Sequence, residues 1–350
     1  MGIIDNRYKN DGKSILKLNQ IQLENKKNVE DKIESKEYVF ENVKCVVCDD
    51  CDFELLAEKD RYGLYVPTVI CKKCGLLQTN PRMNQESYNK FYDSGYRKLY
   101  HGIDVPTDEF FRGQVVRGRT ILEFIEQKTQ KKFRNKFIVE IGTGAGGILQ
   151  AFKENDNDVF GLDLGSEYIE FGRLKGLNLN VGTTDQLDKL SAKPDLLIYS
   201  HVLEHILNPG EELIKLKKYL KEDSLVYIEV PGVMNLTKTY DQDLLQYLQN
   251  AHVYHFSLET LNNLAQKSGL RLIYGNEVIN AIFELNSINK IYKNVYVETI
   301  EFLKDLEKKR KNPFSIYKIK NHIFNLLYFL SKKTGFLNTA KKIYRFFISV

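Results

Sequence analysis

A glycine-rich run near the middle of the chain has the residue types of a nucleotide-binding turn. Residues 139–147 read Val-Glu-Ile-Gly-Thr-Gly-Ala-Gly-Gly, after an apolar segment and before a helical pattern. Glycine lets the backbone approach a ligand where a Cβ would collide, and it tolerates positive φ. The run therefore predicts a strand, a tight turn and a helix N-terminus that together bind a nucleotide.

The acidic residue before the turn indicates which nucleotide fits. Gly142, Gly144 and Gly147 match the G-x-G-x-x-G fingerprint of dinucleotide sites. In such a site Glu140 would face two negative phosphates, whereas S-adenosylmethionine carries an ammonium and a sulfonium and no phosphate. Charge therefore favours S-adenosylmethionine. An NAD site and a turn without a ligand are the alternatives.

Two further strand ends carry polar side chains. Asp163 ends the apolar run 158–163, about 20 residues after the glycines, where a carboxylate can accept both ribose hydroxyls of either cofactor. The buried run 194–199 leads directly into Ser200 and His201. Because ligands of such folds bind at the carboxyl ends of the strands, these side chains are expected to border the cofactor.

Histidines supply the candidate bases. A neutral imidazole is a suitable proton acceptor because its pKa lies near working pH. His252 and His255 precede a predicted helix that Ser257 is expected to cap. Each histidine could instead pack or cap a helix. We predict that His205 and His252 act as base or orienting residues and that His201 lines the cofactor.

All five cysteines fall between positions 45 and 74. Cys45 and Cys48 form one C-x-x-C knuckle, and Cys71 and Cys74 form a second. Four thiolates on paired turns predict a tetrahedral Zn²⁺ cage with the spacing of a zinc ribbon. Because the protein fills every ligand position, the zinc is expected to be structural. Disulfides are the alternative, and Cys51 is either a spare thiol or a replacement for Cys48.

Alternating apolar patterns predict the elements that position these residues. The expected pattern is a mostly parallel, doubly wound, Rossmann-like α/β sheet. Its strands are expected near 137–141, 158–163, 178–181, 195–200, 224–230, 271–278 and 281–286, with helices near 147–154, 166–175, 209–221 and 258–268. In the cysteine module, strands are expected at 62–70 and 75–79.

Composition divides the chain into five segments. The basic charge is concentrated at the C-terminal end, where residues 303–350 carry 12 basic and two acidic residues, although the whole chain carries only +5. A nucleic-acid groove across the central region is therefore not expected. The segments are a mobile polar N-terminus (1–36), a zinc-binding module (37–83), a helical and aromatic connector and lid (84–135), a nucleotide-binding domain (136–287) and a basic amphipathic helical tail (288–350).

The expected cellular location is inferred from the absence of two sequence signals, a membrane-spanning run and a secretory signal. We find no run of about 18 apolar residues and no secretory signal, so a cytoplasmic protein is expected. The basic tail is expected either to pack on protein or to contact an anionic membrane surface through residues 303–350, at the inner face of the membrane. The sequence does not indicate the oligomeric state.

The glycine turn, Asp163 and the run D-L-L-I-Y-S-H-V-L-E-H-I resemble class I S-adenosylmethionine-dependent methyltransferases. The resemblance covers roughly residues 136–286 and includes Glu-Val-Pro-Gly after the fifth strand. It implies that Glu140 lies near the methionyl amino group of the cofactor and that Asp163 binds the ribose. It further implies cofactor contacts for Gly142, Gly144, Gly146, Thr183, Thr184 and Ser200, with the two threonines near the adenine.

The cysteine knuckles and an H-x-x-H-F-S segment make the chain similar to a narrower group, the bacterial sugar methyltransferases. This similarity implies a sugar acceptor, either nucleotide-linked or a precursor of a surface polysaccharide, methylated on oxygen or carbon. A tyrosine of the group corresponds to Tyr92 or Tyr96. In that group a glutamate directly precedes a histidine that corresponds to His252. Ala251 stands in place of this glutamate here, and the loss of the carboxylate favours an oxygen acceptor.

Three other interpretations remain at this point. An NAD-dependent sugar oxidoreductase would use the same glycines and Asp163, but the nucleotide-binding domain has no Tyr-x-x-x-Lys pair suited to sugar redox chemistry. A non-catalytic scaffold would keep the fold and use the cysteine module for interactions. The H-x-x-E-H motif at 201–205 also matches a zinc protease, which would need both histidines on one helix face and a third ligand.

Overall fold

A computed structural model describes residues 3–92, 97–100, 106–286 and 292–312 of the 350-residue chain. The helices are α1 (Gln20–Glu34), α2 (Gln85–Phe91), α3 (Arg97–Tyr100), α4 (Asp108–Thr129), α5 (Gly147–Lys153), α6 (Ser166–Leu174), α7 (Pro209–Leu216), α8 (Leu244–Tyr247), α9 (Leu258–Lys267) and α10 (Tyr296–Lys311). The strands are β1 (Phe40–Glu41), β2 (Phe53–Lys59), β3 (Tyr65–Cys71), β4 (Leu77–Thr79), β5 (Arg82–Met83), β6 (Phe137–Ile141), β7 (Asp158–Asp163), β8 (Leu179–Val181), β9 (Leu196–Ser200), β10 (Leu225–Glu229), β11 (Tyr254–His255), β12 (Leu270–Tyr274) and β13 (Asn280–Leu285).

A seven-stranded sheet in the order β12-β13-β10-β9-β6-β7-β8 forms the centre of the molecule. Its five strands from β6 to β10 are parallel, and β13 runs antiparallel to both neighbours. Helices α4, α5 and α6 pack on one face, whereas α7 and α9 cover the other. The predicted Rossmann-like class is confirmed, because continuous apolar strands alternate with amphipathic helices.

The sheet order reverses between β6 and β9, which are neighbours in the sheet although two strands separate them along the chain. Crossovers leave in opposite directions at such a point and open a crevice beyond the carboxyl ends of the strands. Those ends here are Ile141, Asp163, Ser200 and Glu229. The predicted site residues therefore lie at the edge of the sheet where a ligand is expected.

The cysteine module forms a second sheet in the order β11-β4-β3-β2. Strand β11 comes from the segment predicted as the nucleotide-binding domain, and it pairs Tyr254 with Gln78 and His255 with Leu77. Strand β2 was not expected from the sequence. The module is thus built into the body of the protein, and the boundary expected at residue 83 is crossed by a sheet.

The N-terminal segment differs from the expectation of a mobile polar terminus. Helix α1 begins with a capping box at Asn19 and buries Val29, which is 1% exposed. Tyr8 is equally buried, and its hydroxyl donates to Glu307 of α10 at 3.1 Å. A few apolar side chains among many charged ones are enough to hold residues 3–36 against the core.

The basic tail is described only at its beginning. Helix α10 packs Leu303 and Leu306 against the core, so this part of the predicted tail contacts protein. The rest of the predicted amphipathic tail, from residue 313 onward, lies outside the described residues, and the predicted membrane contact remains a prediction. Within the described part of the chain, the structure has no helix that is long and apolar enough to cross a membrane.

Candidate functional site

The glycine turn joins β6 to α5 as predicted. Gly144 has φ +54°, and a Cβ there would meet one atom, of Tyr168, at 3.8 Å, so this glycine borders open space. Gly142 and Gly146 also have positive φ, but added Cβ atoms would collide with Val202 at 2.2 Å and with Leu177 at 2.7 Å. Gly144 is therefore the position at which a ligand can approach the backbone.

Asp163 organises this turn from the end of β7. Its Oδ2 accepts a hydrogen bond from the amide of Gly144 at 2.8 Å, and its Oδ1 accepts one from the amide of Gly165 at 2.7 Å. The carboxylate is half-buried, so oxygen lone pairs remain for a ligand. This geometry suits the predicted contact with a ribose.

Glu140 lies behind the turn. It is 1% exposed and accepts a hydrogen bond from the Thr143 hydroxyl at 2.7 Å. Burial raises the pKa of Glu140 to about 8, although the Thr143 hydrogen bond and the charge of Arg117 act in the opposite direction. The carboxyl group is therefore poised to ionise when a positive charge binds nearby.

The predicted adenine contacts separate in the structure. Thr183 is exposed and lies beside Gly182, whose amide donates to the Asp163 carbonyl at 3.0 Å. Thr184 is 3% exposed, and its hydroxyl donates to Glu212. Thr183 is thus available to a ligand next to Asp163, whereas the Thr184 side chain already has a partner in the interior.

Ser200 belongs to a polar cluster at the ends of β9 and β10. Its hydroxyl donates to Glu229 at 3.2 Å, and Arg117 from α4 forms an ion pair with the same carboxylate at 2.7 Å. Sequence reasoning did not identify Arg117 or Glu229 as site residues. Glu229 ends an apolar strand, which is a recognisable signal, but nothing in the local sequence indicates that Arg117 reaches this edge.

The predicted histidines meet beyond the end of β9. His205 and His252 pack edge to face with ring centroids 4.7 Å apart, and Tyr92 lies within hydrogen-bond distance of His205 Nδ1 at 2.6 Å. His201 has φ +57° and a side chain that is 39% exposed. His255 is 1% exposed and packs on the Tyr247 ring, which supports the packing role considered for it.

Burial keeps the two central imidazoles neutral. It lowers the pKa of His205, although nearby Glu204 partly offsets the effect. The pKa of His252 is lowered well below its usual value by burial and by the neighbouring histidines. Neutral imidazoles can accept a proton or bind a metal.

Glu204 was missed as a site residue, although it lies within the H-V-L-E-H motif. It is 1% exposed, and its Oε1 is 3.4 Å from His201 Nδ1 and 3.7 Å from His205 Nε2. Residues 203–205 form a single 3-10 turn after the strand rather than an α-helix. The protease motif therefore lacks the helix face that would align its two histidines.

The four predicted cysteine ligands lie together. Their sulfur atoms are all within 4.8 Å of one another, and the Cys45–Cys74 and Cys48–Cys71 pairs are each separated by 3.4 Å. A disulfide bond is roughly 2.05 Å long, so these cysteines are free thiols. Cys51 is exposed and outside the cluster.

Comparison with known proteins identifies the class of the central domain. Residues 114–274 match the model of a family described as a methyltransferase domain. The structure of magnesium protoporphyrin IX methyltransferase from Synechocystis PCC 6803 is 13% identical, with a TM-score of 0.41, over 58% of this chain and 100% of that one. The structure of 1,6-didemethyltoxoflavin-N1-methyltransferase from Burkholderia thailandensis is 16% identical, with a TM-score of 0.42, over 61% of this chain and 96% of that one. No curated protein sequence matches significantly.

The strand order and the family match over residues 114–274 define a class I, Rossmann-like methyltransferase domain. The protein is an S-adenosylmethionine-dependent methyltransferase. The NAD-dependent oxidoreductase does not account for this family match. The residues around Gly144 and Asp163 fit the cofactor, since they combine open backbone, a carboxylate and a buried acid.

Removing the carboxylate of Asp163 tests the ribose assignment. We expect Asp163→Ala to weaken S-adenosylhomocysteine binding by about 1–3 kcal/mol, the cost of losing hydrogen bonds to a charged group. Isothermal titration calorimetry on the variant and on Asp163→Asn measures the effect. The asparagine variant should lose less, because it keeps one acceptor oxygen for the turn. Equal affinities in all three proteins would place the ribose elsewhere.

Glu140 predicts a pH dependence of cofactor binding. Below pH 8 its carboxyl group is protonated in the free protein, and binding of a cationic amino group must release that proton. Affinity should therefore rise by up to about tenfold per pH unit towards pH 8 and then level off. Calorimetry from pH 6 to 9 measures the slope, and comparison with Glu140→Gln removes the titration of the ligand itself. Identical slopes in both proteins would contradict this role.

Proposed function

We propose that the protein transfers a methyl group from S-adenosylmethionine to a sugar that is linked to a nucleotide or destined for a surface polysaccharide. The observation that carries this proposal is the cluster of Tyr92, Glu204, His205 and His252 beyond the cofactor edge of the sheet. Its carboxylate, phenol and imidazoles suit a polyhydroxylated acceptor. An oxygen acceptor is favoured, because the neutral imidazoles can accept the proton of its hydroxyl group.

The cofactor side is assigned to the first two strand ends. Asp163 and the backbone at Gly144 would hold the adenosine, and Thr183 lies beside them. Glu140 would balance the charge of the methionyl amino group. S-adenosylmethionine supplies a methyl group on a sulfonium, which is a reactive electrophile. The protein has then to align the acceptor oxygen with that carbon and to exclude water.

The histidine cluster is assigned to the acceptor. His205 and His252 would orient the acceptor hydroxyl and accept its proton as the oxygen–carbon bond forms, while His201 lines the cofactor. The Ala251 carbonyl accepts from His205 Nδ1 at 2.8 Å, so Nε2 carries the lone pair that can act as the base. The similar group has a glutamate at the position of Ala251, beside its histidine. In this chain Glu204 would supply a carboxylate near His252 instead.

Tyr92, the residue that follows α2, is proposed to complete the acceptor site. Its hydroxyl lies 2.6 Å from His205 Nδ1, and Tyr88 of the same helix donates to the Ala251 carbonyl at 2.6 Å. The aromatic segment therefore connects the cysteine module to the histidine cluster. Tyr96, the other tyrosine considered from the sequence, lies outside the described residues.

The four-cysteine cluster is proposed to hold a structural Zn²⁺. Its donor set of four thiols, three of them buried, fits zinc and leaves no position for a substrate. The chain just before α10 also packs against the second knuckle, where the Val295 amide donates to the Cys74 carbonyl at 3.3 Å. The metal would therefore stabilise the face of the protein that carries α10.

Transfer of a labelled methyl group tests the acceptor. The protein is incubated with S-adenosylmethionine carrying a tritiated methyl group and with a sugar-nucleotide extract of the source cells. Label is expected in a sugar-nucleotide fraction, and acid hydrolysis should release it as a methylated sugar. Label that appears only in a lipid, peptide or nucleobase fraction would overturn the proposed substrate class but not the methyltransferase activity.

A further inference from the structure

A buried carboxylate lies at the centre of the histidine cluster. Glu204 is 1% exposed, and among the described residues neither of its carboxylate oxygens accepts a hydrogen bond. Burying such a group is unfavourable unless donors or a cation compensate it. Three imidazoles nevertheless converge on Oε1 of this carboxylate, at 3.4, 3.7 and 3.8 Å. This arrangement points to a cation that binds between them.

His205 is oriented as a metal ligand would be. A carbonyl oxygen can only accept, so the Ala251 carbonyl 2.8 Å from Nδ1 requires a hydrogen on that atom, and the Tyr92 hydroxyl oxygen, 2.6 Å from Nδ1, is then a second acceptor. The lone pair is then on Nε2, the atom 3.7 Å from Glu204 Oε1. A backbone carbonyl bound to the far nitrogen is a common way of fixing the tautomer and ring orientation of a metal-ligating histidine.

His252 completes a set of three ligands. Its Nε2 lies 3.8 Å from the same carboxylate oxygen, and one donor atom each from Glu204, His205 and His252 lie within 4.8 Å of one another. Carboxylate and imidazole bind metals at roughly 2.0–2.2 Å, so one ion can bridge Glu204 to either imidazole. At present Gln249 donates its amide to His252 Nε2, and an entering ion must replace that contact.

We propose that Glu204, His205 and His252 bind a divalent transition-metal ion, separate from the ion of the cysteine cluster. Two imidazoles and one carboxylate favour Zn²⁺, Co²⁺, Mn²⁺ or Fe²⁺ over Ca²⁺ and Mg²⁺, which prefer sets of oxygen ligands. Three protein ligands leave coordination positions open, unlike the four thiols of the cysteine cluster.

The role of the ion rests on the proposed function, whereas its binding does not. With the ion in place, His205 and His252 would be ligands that orient the acceptor, and the base role proposed for them above would pass to His201. An acceptor hydroxyl on an open position loses its proton more easily. His201, with its partly exposed side chain 3.4 Å from Glu204, would receive that proton as the methyl carbon leaves sulfur for oxygen.

Titration of the full-length protein with Co²⁺ tests the binding. The protein is used with zinc retained on the cysteine cluster and with weakly bound metal removed, under reducing conditions, and no cofactor or acceptor is added. Co²⁺ on the cysteine cluster gives an intense thiolate charge-transfer absorption, which Co²⁺ on nitrogen and oxygen ligands lacks. We expect the wild-type protein to bind Co²⁺ as a second equivalent of metal, without thiolate absorption. Glu204→Gln should lose that equivalent or bind it at least about 10–100-fold more weakly, since it loses a ligand of the ion.

Two comparison variants sharpen this test. Glu222→Gln makes the same chemical change at an exposed position and should behave as wild type. Gln249→Ala removes the amide that competes for His252 Nε2, and it should bind the second equivalent more tightly. The proposal is overturned if all Co²⁺ bound by wild type has thiolate absorption, or if a folded Glu204→Gln protein binds the second equivalent unchanged. Because methyl transfer is not measured, these results are independent of the acceptor.

Discussion

His205→Asn is expected to slow methyl transfer by roughly 10²–10⁴-fold, the usual contribution of a positioned proton-transfer group. Asparagine can keep a hydrogen bond to the Ala251 carbonyl, but it has no counterpart of the Nε2 atom beside Glu204 and His252. Affinity for S-adenosylhomocysteine should be unchanged, because the cofactor is assigned to Asp163 and Gly144. Initial rates at saturating labelled cofactor and calorimetric titration measure the two effects.

A matched substitution separates chemistry from packing. His255→Asn also replaces a buried imidazole with an amide, but the His255 ring packs on Tyr247, and the imidazoles within 4 Å of Glu204 Oε1 are those of His201, His205 and His252. It should lower thermal stability and leave turnover per folded molecule nearly unchanged. If His205→Asn retains turnover within tenfold of wild type, His205 is neither base nor ligand for the acceptor.

Cys71→Ser is expected to have the largest effect on stability. Binding of structural zinc to thiolates is coupled to folding, with apparent free energies of about 10–16 kcal/mol in small zinc modules. The effect should spread beyond the module, because β4 pairs with β11 and Val295 bonds to the second knuckle. Measurement of the zinc content should show that the variant has lost the metal. Thermal unfolding monitored by circular dichroism should show no cooperative transition near the midpoint of the wild-type protein.

Cys51 provides the matched control for this prediction. It is exposed and lies outside the group of four sulfurs, so Cys51→Ser should retain zinc and melt as wild type does. A Cys71→Ser protein that melts with the wild type would show that the cluster is not stabilised by metal. Loss of zinc in Cys51→Ser would mean that Cys51 replaces one of the four predicted ligands.

The sequence predicts the central sheet and the cofactor edge well, because their signals are local. Strands β6 and β7 have the predicted bounds, since each is a continuous apolar run next to glycine or an acidic end. Their ends bring Gly144 and Asp163 together at 2.8 Å. This part of the site is formed by strands, a turn and a helix N-terminus that lie close together in the sequence.

Strand β2 shows where local signals fail. Its sequence, Phe-Glu-Leu-Leu-Ala-Glu-Lys, is rich in residues that favour helices and contains no β-branched residue. Pairing with β3 over Cys71–Tyr65 nevertheless holds it in the sheet, next to the knuckle that the cysteines form. The tertiary context decides the structure of this segment, so a single-sequence reading could not predict it.

The acceptor side of the site was only partly predictable for the same reason. The positions of His205 and His252 along the chain suggested two histidines near the cofactor edge, but their contact depends on how the segment before β11 crosses the 3-10 turn at 203–205. Glu204 was hidden inside a motif that was recognised for its histidines. Arg117 reaches Glu229 only because α4 crosses the sheet at that point.

A crystal structure of the protein with S-adenosylhomocysteine tests the central claim most directly. We predict that the ribose hydroxyls bind Asp163, that the backbone at Gly144 contacts the ligand, and that its sulfur faces the cluster of Glu204, His205 and His252. A ligand bound away from the carboxyl ends of β6 and β7, or with its sulfur directed away from those histidines, would contradict the assignment of both halves of the site.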